Sequence, residues 1–310
     1  MKILVTGGAG FIASHVTDAF IAEGHDVVVL DSLITGRQEL VNPKAGFVKM
    51  DIRDKAIADL FAAEEFDVVN HHAAQMDVRK SVADPAFDAD VNVIGTLNLL
   101  ENAVRHGVKK FMFASTGGAI YGEQDYFPAD EGHPQRPLSP YGITKLTTEK
   151  YLHFYHHVHG LAYFVTRYAN VYGPRQNPHG EAGVVAIFCS KLLAGEQPVI
   201  NGDGKQTRDY VYIDDVVRAN VAGLHYAGSE IVNVGTGVET DVNKLYQVLR
   251  DELAPAVPEQ HGPAMPGEQM RSVIDYGKAE KLLGWQPTMD VGTGLQQTAR
   301  WFRDTGGSGR

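Results

Sequence analysis

A tyrosine and a lysine stand four apart in Tyr141-Gly-Ile-Thr-Lys145. On a helix that spacing puts both side chains on one face, one turn apart. A phenol is a poor base at neutral pH, with a reference pKa of about 10. An ammonium held beside it favours the phenolate and brings it into range for proton transfer. Tyr-x-x-x-Lys is common as a solvated pair, so the surrounding elements decide what it means. Two hydroxyls, Ser115 and Thr116, precede Gly117-Gly118 at the end of an apolar run, where the carboxyl end of a strand would set polar groups at a site. The plain alternative for such hydroxyls is a turn cap.

The second chemistry-bearing stretch is Gly7-Gly-Ala-Gly10, which follows the apolar run Lys2–Thr6. A helix is predicted over Ser14–Glu23, closed by Gly24, and a strand over Asp26–Leu30 ending in Asp31. Strand, glycine turn, helix, strand and acid, with the acid about 20 residues on, form the dinucleotide fingerprint in its required context. Gly7 permits the tight turn. Gly10 lets backbone approach a pyrophosphate at a helix N-terminus, where amide donors and the dipole favour anions. Ala13 stands at the third, packing position. Asp31 is suited to both ribose hydroxyls of NAD and repels the extra phosphate of NADP, a preference that nearby Arg37 qualifies.

Further strands are predicted at Gly46–Met50, Phe66–Asn70 and Lys110–Ala114, with a helix over Val91–His106 between the last two. Alternating strands and helices imply an α/β fold, a doubly wound parallel sheet whose ligands lie outside the carboxyl ends of the strands. Asp51-Ile52, His71–Gln75 and Ser115–Gly118 therefore become site candidates by topology. Neighbouring His71 and His72 point opposite ways on a strand and lack a carboxylate or thiol at ligand spacing, so no metal is expected there. The helix from Tyr141 to about His157 ends in His153, His156, His157 and His159, read as a titrating surface without an acidic partner.

Past residue 168 the pattern changes. A Gly/Pro/Asn-rich loop over Pro174–Gly183, a helix at Val184–Ala194, a strand at Arg208–Ile213, a helix at Asp214–Tyr226 and a strand at Ile231–Val234 are predicted, followed by helices near Val242–Leu253, Lys278–Leu283 and Gly292–Arg303. The expected division is a dinucleotide-binding domain over 1–168 with a return segment near 208–230, a smaller α/β substrate-binding lobe over 169–207 and 231–305, and a linker-like disordered tail over 306–310. Arginines in this lobe, Arg208 and Arg271, are natural partners for a substrate diphosphate; the alternative for each is surface ion pairing.

The 310 residues carry a net charge of −10, with 44% hydrophobic and 21% charged residues. That charge argues against a nucleic-acid groove or an anionic membrane surface, and no apolar run is long enough to span a bilayer. The single cysteine, Cys189, excludes an intrachain disulfide and reads as a buried small hydrophobe. With no signal-peptide pattern, the expected location is cytoplasmic.

Taken together, Thr6-Gly-Gly-Ala-Gly-Phe-Ile12, Asp31, Asp51-Ile52, His72-Ala-Ala74, Asn92-Val-Ile-Gly-Thr-Leu-Asn98, Tyr141-x-x-x-Lys145, Tyr168-Ala-Asn-Val-Tyr-Gly-Pro-Arg175 and Arg208-Asp-Tyr-Val-Tyr-Ile-Asp-Asp215 resemble the extended short-chain dehydrogenase/reductase family. Nearly the whole chain is covered, and the resemblance is greatest to nucleotide-sugar epimerases of the UDP-glucose 4-epimerase type. It implies that Gly7, Gly10, Phe11 and Ile12 hold the pyrophosphate, Asp31 the ribose, and Asp51 with Ile52 the adenine. Ala73, Ala74, Gln75, Asn92 and Tyr168 would line the NAD cleft, with Tyr141 and Lys145 at the nicotinamide end. Asn170 and Arg208 would meet the UDP-sugar, and a homodimer is implied. The resemblance also implies 4-epimerisation: dehydratases and decarboxylases of this kind add an acid, and Ser115–Gly122 contains none. Two positions depart from the pattern. The family's catalytic Ser/Thr falls on Gly117, leaving Thr116 as first substitute, Ser115 as second, or Tyr141 acting directly. Counting along Gly267-Glu268, the position gating 2-N-acetyl sugars falls on Ser272, small enough to admit UDP-GlcNAc or UDP-GalNAc. The competing functions are another NAD-dependent sugar-nucleotide enzyme, such as a reductase or dehydratase, and a non-catalytic dinucleotide sensor.

Overall fold

The computed structural model describes residues 1–178, 183–265 and 269–306. Apolar, β-branched runs form the leading strands: β1 (Lys2–Thr6), β2 (Asp26–Asp31), β3 (Gly46–Lys49), β4 (Val68–His71), β5 (Lys110–Thr116) and β6 (Ala162–Tyr168). Shorter strands follow: β7 (Asn170–Tyr172), β8 (Ile200–Asn201), β9 (Thr207–Tyr212), β10 (Glu230–Val234), β11 (Glu239–Asp241), β12 (His261–Gly262) and β13 (Arg271–Ser272). The helices are α1 (Phe11–Ala22), α2 (Ile57–Glu64), α3 (Val78–Ala83), α4 (Pro85–Ala89), α5 (Gly95–Arg105), α6 (Gly117–Ile120), α7 (Pro140–His159), α8 (Val184–Leu193), α9 (Ile213–His225), α10 (Val242–Leu253), α11 (Gly277–Leu283) and α12 (Val291–Asp304).

The main sheet has seven parallel strands in the order β10-β6-β5-β4-β1-β2-β3. Strand order reverses on either side of β1, the doubly wound arrangement that opens a crevice at the carboxyl ends. Both faces are covered, and alternation along β1 shows why. Ile3 and Val5 pack with Phe20 and Val216 on one side; Leu4 packs with Phe61, Leu99 and Leu152 on the other. A second sheet, β11-β9-β13 with β7 also on β9, carries the lobe, whose core joins Phe188, Tyr246, Leu295 and Phe302. Asp215 fastens the C-terminal segment to α9 by accepting from the amides of Thr288 and Met289 at 3.1 and 3.2 Å.

Several expectations change. The strand Glu230–Val234, assigned to the lobe from the sequence, pairs with β6 as the outer strand of the main sheet, so the return segment extends through residue 234. α1 begins at Phe11, directly after the glycine turn. β5 continues to Thr116, which makes Ser115 and Thr116 strand residues facing opposite ways. The helix expected over 91–106 starts as α4 at Pro85 and passes through a π turn, Asp90–Ile94, before α5. Such turns push one residue out of helical register and recur at functional sites. Of the expected tail, residues 307–310 lie outside the described residues, as do 266–268, along which the register to Ser272 was counted, and part of the 174–183 loop. No helix among the described residues is long and apolar enough to cross a membrane.

Candidate functional site

The expected ligand-binding groups gather where β1, β2, β4 and β5 end. Gly7 has φ +72°, and a Cβ there would lie 2.7 Å from the Ala73 amide nitrogen. Only glycine lets the β1 and β4 loops approach so closely. Gly10 caps α1 without a side-chain hydrogen bond, and the first turn holds no acid. The amide donors of that turn thus meet no carboxylate from the turn itself, which suits an anion cradle.

Asp31 is 7% exposed and accepts the amides of Ala9 at 3.1 Å and Leu33 at 2.8 Å, one on each oxygen. Burial raises its carboxyl pKa, while those two amides oppose the rise. Each oxygen retains a lone pair for a ribose hydroxyl. A Cβ at Gly36 would meet Asp31 Oδ1 at 2.7 Å, so the loop after β2 also depends on a missing side chain. Asp51 is gripped by Arg53, whose Nε and Nη2 donate at 3.0 and 2.8 Å, and that pairing holds its carboxyl below the usual range. Ile52 is buried against Gly95.

Gln75 and Asn92 face each other. Asn92 Oδ1 accepts the Gln75 amide at 2.8 Å and its Nδ2 donates to the Gln75 carbonyl at 2.9 Å. The π turn carrying Asn92 therefore pins the Ala73–Gln75 loop in place. Asp88 completes the knot, accepting from Asn92 Nδ2 at 3.1 Å and from Thr144 Oγ1 at 2.8 Å. Through Thr144 the loop is tied to the helix of the tyrosine and lysine.

That helix, α7, has a full set of end signals. Ser139 accepts the Gly142 amide, Pro140 opens the first turn, and Gly160 at φ +70° closes it. Lys145 is buried, donates to the Ala114 carbonyl at 2.9 Å, and lies 4.7 Å from the Phe113 ring centroid and 5.7 Å from that of Tyr141. Burial brings its pKa down to about 8, with Asp88 and Glu149 opposing. Tyr141 is half-buried, and its amide donates to Ser81 Oγ at 3.2 Å.

The two candidate hydroxyls separate. Ser115 Oγ donates to Glu149 Oε1 at 2.6 Å, under the sheet. Glu149 also pairs with Arg167, with Nη2 2.6 Å and Nε 3.0 Å from its two oxygens, and both side chains are almost fully buried. Thr116 is partly exposed and makes no side-chain cap to α6. A Cβ at Gly118 would lie 3.8 Å from Thr116 Oγ1 and 3.2 Å from Asn170 Oδ1, so both groups border the space that glycine leaves. At Gly117 a Cβ would strike Ile274 Cδ1 at 2.7 Å.

The remaining expected residues divide. Tyr168 is buried: its hydroxyl accepts from Asn220 at 2.8 Å, its ring stacks on His72, and burial pushes its pKa up to about 12. Arg208 sits on β9 opposite Ser272 of β13, while Asn170 is on β7, which also pairs with β9. Ser272 is 4% exposed. Arg271 is engaged elsewhere, with both ends of its fork on Glu239 at 2.9 and 2.8 Å and its plane 3.8 Å from the Phe127 centroid. Cys189 is buried, with its thiol pushed up to about 12. Both ring nitrogens of His71 are taken by Thr6 and Thr96 hydroxyls, at 2.6 and 2.8 Å.

Sequence reading missed Arg53, Asp88, Thr144, Glu149 and Arg167. Glu149 had a signal: it continues the 141, 145 spacing by one more turn. The others are brought in only by tertiary packing.

Residues 3–235 match the model of the NAD dependent epimerase/dehydratase family. A UDP-glucose 4-epimerase of Mycolicibacterium smegmatis is 46% identical over 311 residues, covering 98% of this chain and 99% of its own. The crystal structure of UDP-glucose 4-epimerase from Thermotoga maritima with UDP-glucose superposes with a TM-score of 0.96 at 48% identity, covering 98% and 99% of the two chains. That of Thermus thermophilus UDP-glucose 4-epimerase with NAD gives 0.92 at 42% identity, with the same coverage.

Proposed function

Since the chain belongs to the NAD-dependent epimerase/dehydratase family, we propose that it interconverts UDP-glucose and UDP-galactose at C4. The observation that carries this reading is the composition of the β5 end. Lys145 donates to the carbonyl of Ala114, two residues before Thr116, its ammonium lies 5.7 Å from the Tyr141 ring centroid, and the Ser115–Gly122 stretch brings no carboxylate. An elimination needs an added acid and base; a 4-epimerisation needs only one reversible proton acceptor at the 4-hydroxyl.

The residues at the β1 and β2 ends fit NAD. Gly7 and Gly10 leave the α1 amides open to a pyrophosphate, with Phe11 and Ile12 as its first residues, and Asp31 presents its carboxylate to the adenosine ribose. Asp51 and Ile52 border the adenine, and Ala73 and Ala74 the cleft wall. NAD bound there supplies hydride acceptance from, and return to, the sugar C4. Thr116 Oγ1 takes the 4-hydroxyl proton and passes its own to Tyr141 Oη; the reverse transfer follows on the other sugar face. Lys145, charged below pH of about 8, holds the phenolate. Asn92, Gln75 and Asp88 position the loop and helix, and Gln75 and Asn92 also line the NAD cleft. Asn170 and Arg208 hold the UDP diphosphate; Arg271, already paired with Glu239, has the weaker claim. Ser272, a small residue beside Arg208, is the position we assign to admitting a 2-N-acetyl group.

A homodimer belongs to the same proposal. Ile143, Tyr151, Phe154 and Val158 are 51, 36, 49 and 53% exposed and form one stripe along α7, a face suited to a second copy of the helix. A cytoplasmic location is part of the same proposal.

The test is incubation with UDP-glucose, UDP-galactose and their N-acetyl forms, followed by separation of epimers. Unchanged mass with inverted C4 is the expected product. Tyr141→Phe should abolish turnover; Thr116→Val should lower kcat by about 10²–10⁴-fold, and Ser115→Ala by less than about tenfold. Loss of mass as water refutes the epimerase reading. An inactive Ser115→Ala beside an active Thr116→Val refutes the relay, and no turnover of N-acetyl substrates refutes the role given to Ser272.

A further inference from the structure

Far from this cleft, three side chains from separate elements bring one ligand atom each to a common point. Glu23 caps the C-terminus of α1, His25 precedes β2 by one residue's turn, and His225 is the last residue of α9. Glu23 Oε2 lies 3.0 Å from His225 Nε2 and 3.5 Å from His25 Nε2, and all three atoms fall within 4.8 Å of one another. Tetrahedral zinc with ligands at 2.0–2.1 Å needs donor–donor edges of about 3.3–3.4 Å. The two short edges bracket that value.

Three observations favour a cation here over a chance encounter. His25 Nε2 is buried and lacks a hydrogen-bond partner. Its other nitrogen, Nδ1, lies 3.5 Å from the Met1 amino nitrogen; in the metal-bound form Nδ1–H donates to the neutral amine, which leaves the Nε2 lone pair for the cation. The C-termini of α1 and α9, which pack together, both end here, and their negative dipole ends favour positive charge. The neighbouring ring contacts, Phe20 on His25 and His25 on His225 at 6.3 and 6.2 Å, fix the imidazole planes.

We propose that Glu23, His25 and His225 form a binding site for a zinc-class divalent cation, with water as fourth ligand, that clasps the ends of α1 and α9. Two imidazoles and one carboxylate suit zinc, cobalt or nickel rather than magnesium or calcium. The site lies at the amino end of β2, about 17–20 Å along the strand from Asp31. Its role is therefore structural: α1 is the helix whose other end carries the pyrophosphate cradle, and the clasp holds it against α9. Residue spacing could not reveal the site, because two ligands and the third are some 200 residues apart.

The whole protein, stripped by a chelator and dialysed, should bind one equivalent of zinc in a calorimetric titration. Zinc at about a hundred times Kd should raise Tm by about 4 °C. Cobalt should give the visible absorption of a tetrahedral ion. His225→Gln and Glu23→Gln, both exposed changes, should keep the metal-free Tm and lose the zinc equivalent and the Tm rise. Absence of stoichiometric binding overturns the site. So does an equal Tm rise in both variants, which would send the metal elsewhere, for instance to His153, His156, His157 and His159.

Discussion

Replacing Lys145 by methionine separates what the residue does for stability from what it does for chemistry. Its ammonium is buried, and folding lowers its pKa from 10.5 to about 8. Holding that charge at neutral pH costs about 3 kcal/mol. Methionine has nearly the same length and no charge, so the penalty disappears; the hydrogen bond to the Ala114 carbonyl is lost, a debit of about 1 kcal/mol. The Lys145→Met protein should thus be more stable at pH 7 by about 2 kcal/mol, or about 3 °C in Tm for a chain of this length. The sign reverses with pH. Between about 8 and 10.5 the unfolded chain keeps the lysine proton and the folded chain releases it, so wild-type stability rises through that window while the variant has no such group. The gap should close and invert by about 1 kcal/mol near pH 10.5. Urea unfolding of cofactor-free protein at pH 7, 8, 9 and 10, followed by tryptophan fluorescence, reads it. Epimerisation should fall by at least about 10²-fold. A variant less stable than wild type at pH 7, or a gap that does not move with pH, would refute the account of a desolvated, charged Lys145.

Gly7→Ala places a methyl 2.7 Å from the Ala73 nitrogen in a left-handed backbone. It should cost about 1–2 kcal/mol for the conformation alone and weaken NAD binding at least tenfold, as read by fluorescence titration; unchanged affinity would remove Gly7 from the cradle. Phe154→Glu puts a charge in the middle of the exposed α7 stripe. It should convert a dimer into monomers in sedimentation equilibrium without altering the circular dichroism spectrum, and a persistent dimer would place the interface on another face.

The parallel sheet was legible because its strands are continuous apolar runs and its turns carry glycine and acids at fixed offsets. Even so, strand ends drifted by a residue or two, and at β5 that drift mattered. Ser115 and Thr116 look interchangeable in sequence, yet one residue of strand sends Ser115 inward to Glu149 and Thr116 to the open edge. Asn92 and Gln75 stand out in the sequence as cofactor-binding candidates but not as partners of each other, because their pairing depends on a π turn that no periodicity announces. The motif marks Tyr168 as a cleft residue but does not show the hydrogen bond that its hydroxyl accepts from Asn220, fifty-two positions away. Arg271 and Arg208 are alike in composition and context; only the ladder pairing of β13 and β11 with β9 shows Arg271 beside Glu239.

The glycine at 117 appears from sequence as a missing hydroxyl, but its neighbourhood gives it a positive reason. The space its Cβ would occupy is filled by Ile274, whose Cδ1 is 2.7 Å and Cγ2 3.2 Å from that point. Ile274 is itself locked in place: it bridges Ala129, donates its amide toward Asp209, and has Gly235 on its other side, where a Cβ would lie 2.5 Å from Cγ1. Gly117 and Gly235 therefore form a matched slot for one isoleucine that joins the end of β5 to the substrate lobe. A serine at 117 would have to displace a branched, fully packed side chain, at a cost of about 1–3 kcal/mol. Moving the hydroxyl one residue back removes that conflict. Thr116 turns toward the gap left by Gly118, opposite Asn170, on the side away from Glu149 and Ser115. The two glycines and the threonine thus act as one unit: Gly117 admits the lobe, Gly118 keeps the gap open, and Thr116 supplies the oxygen that borders it.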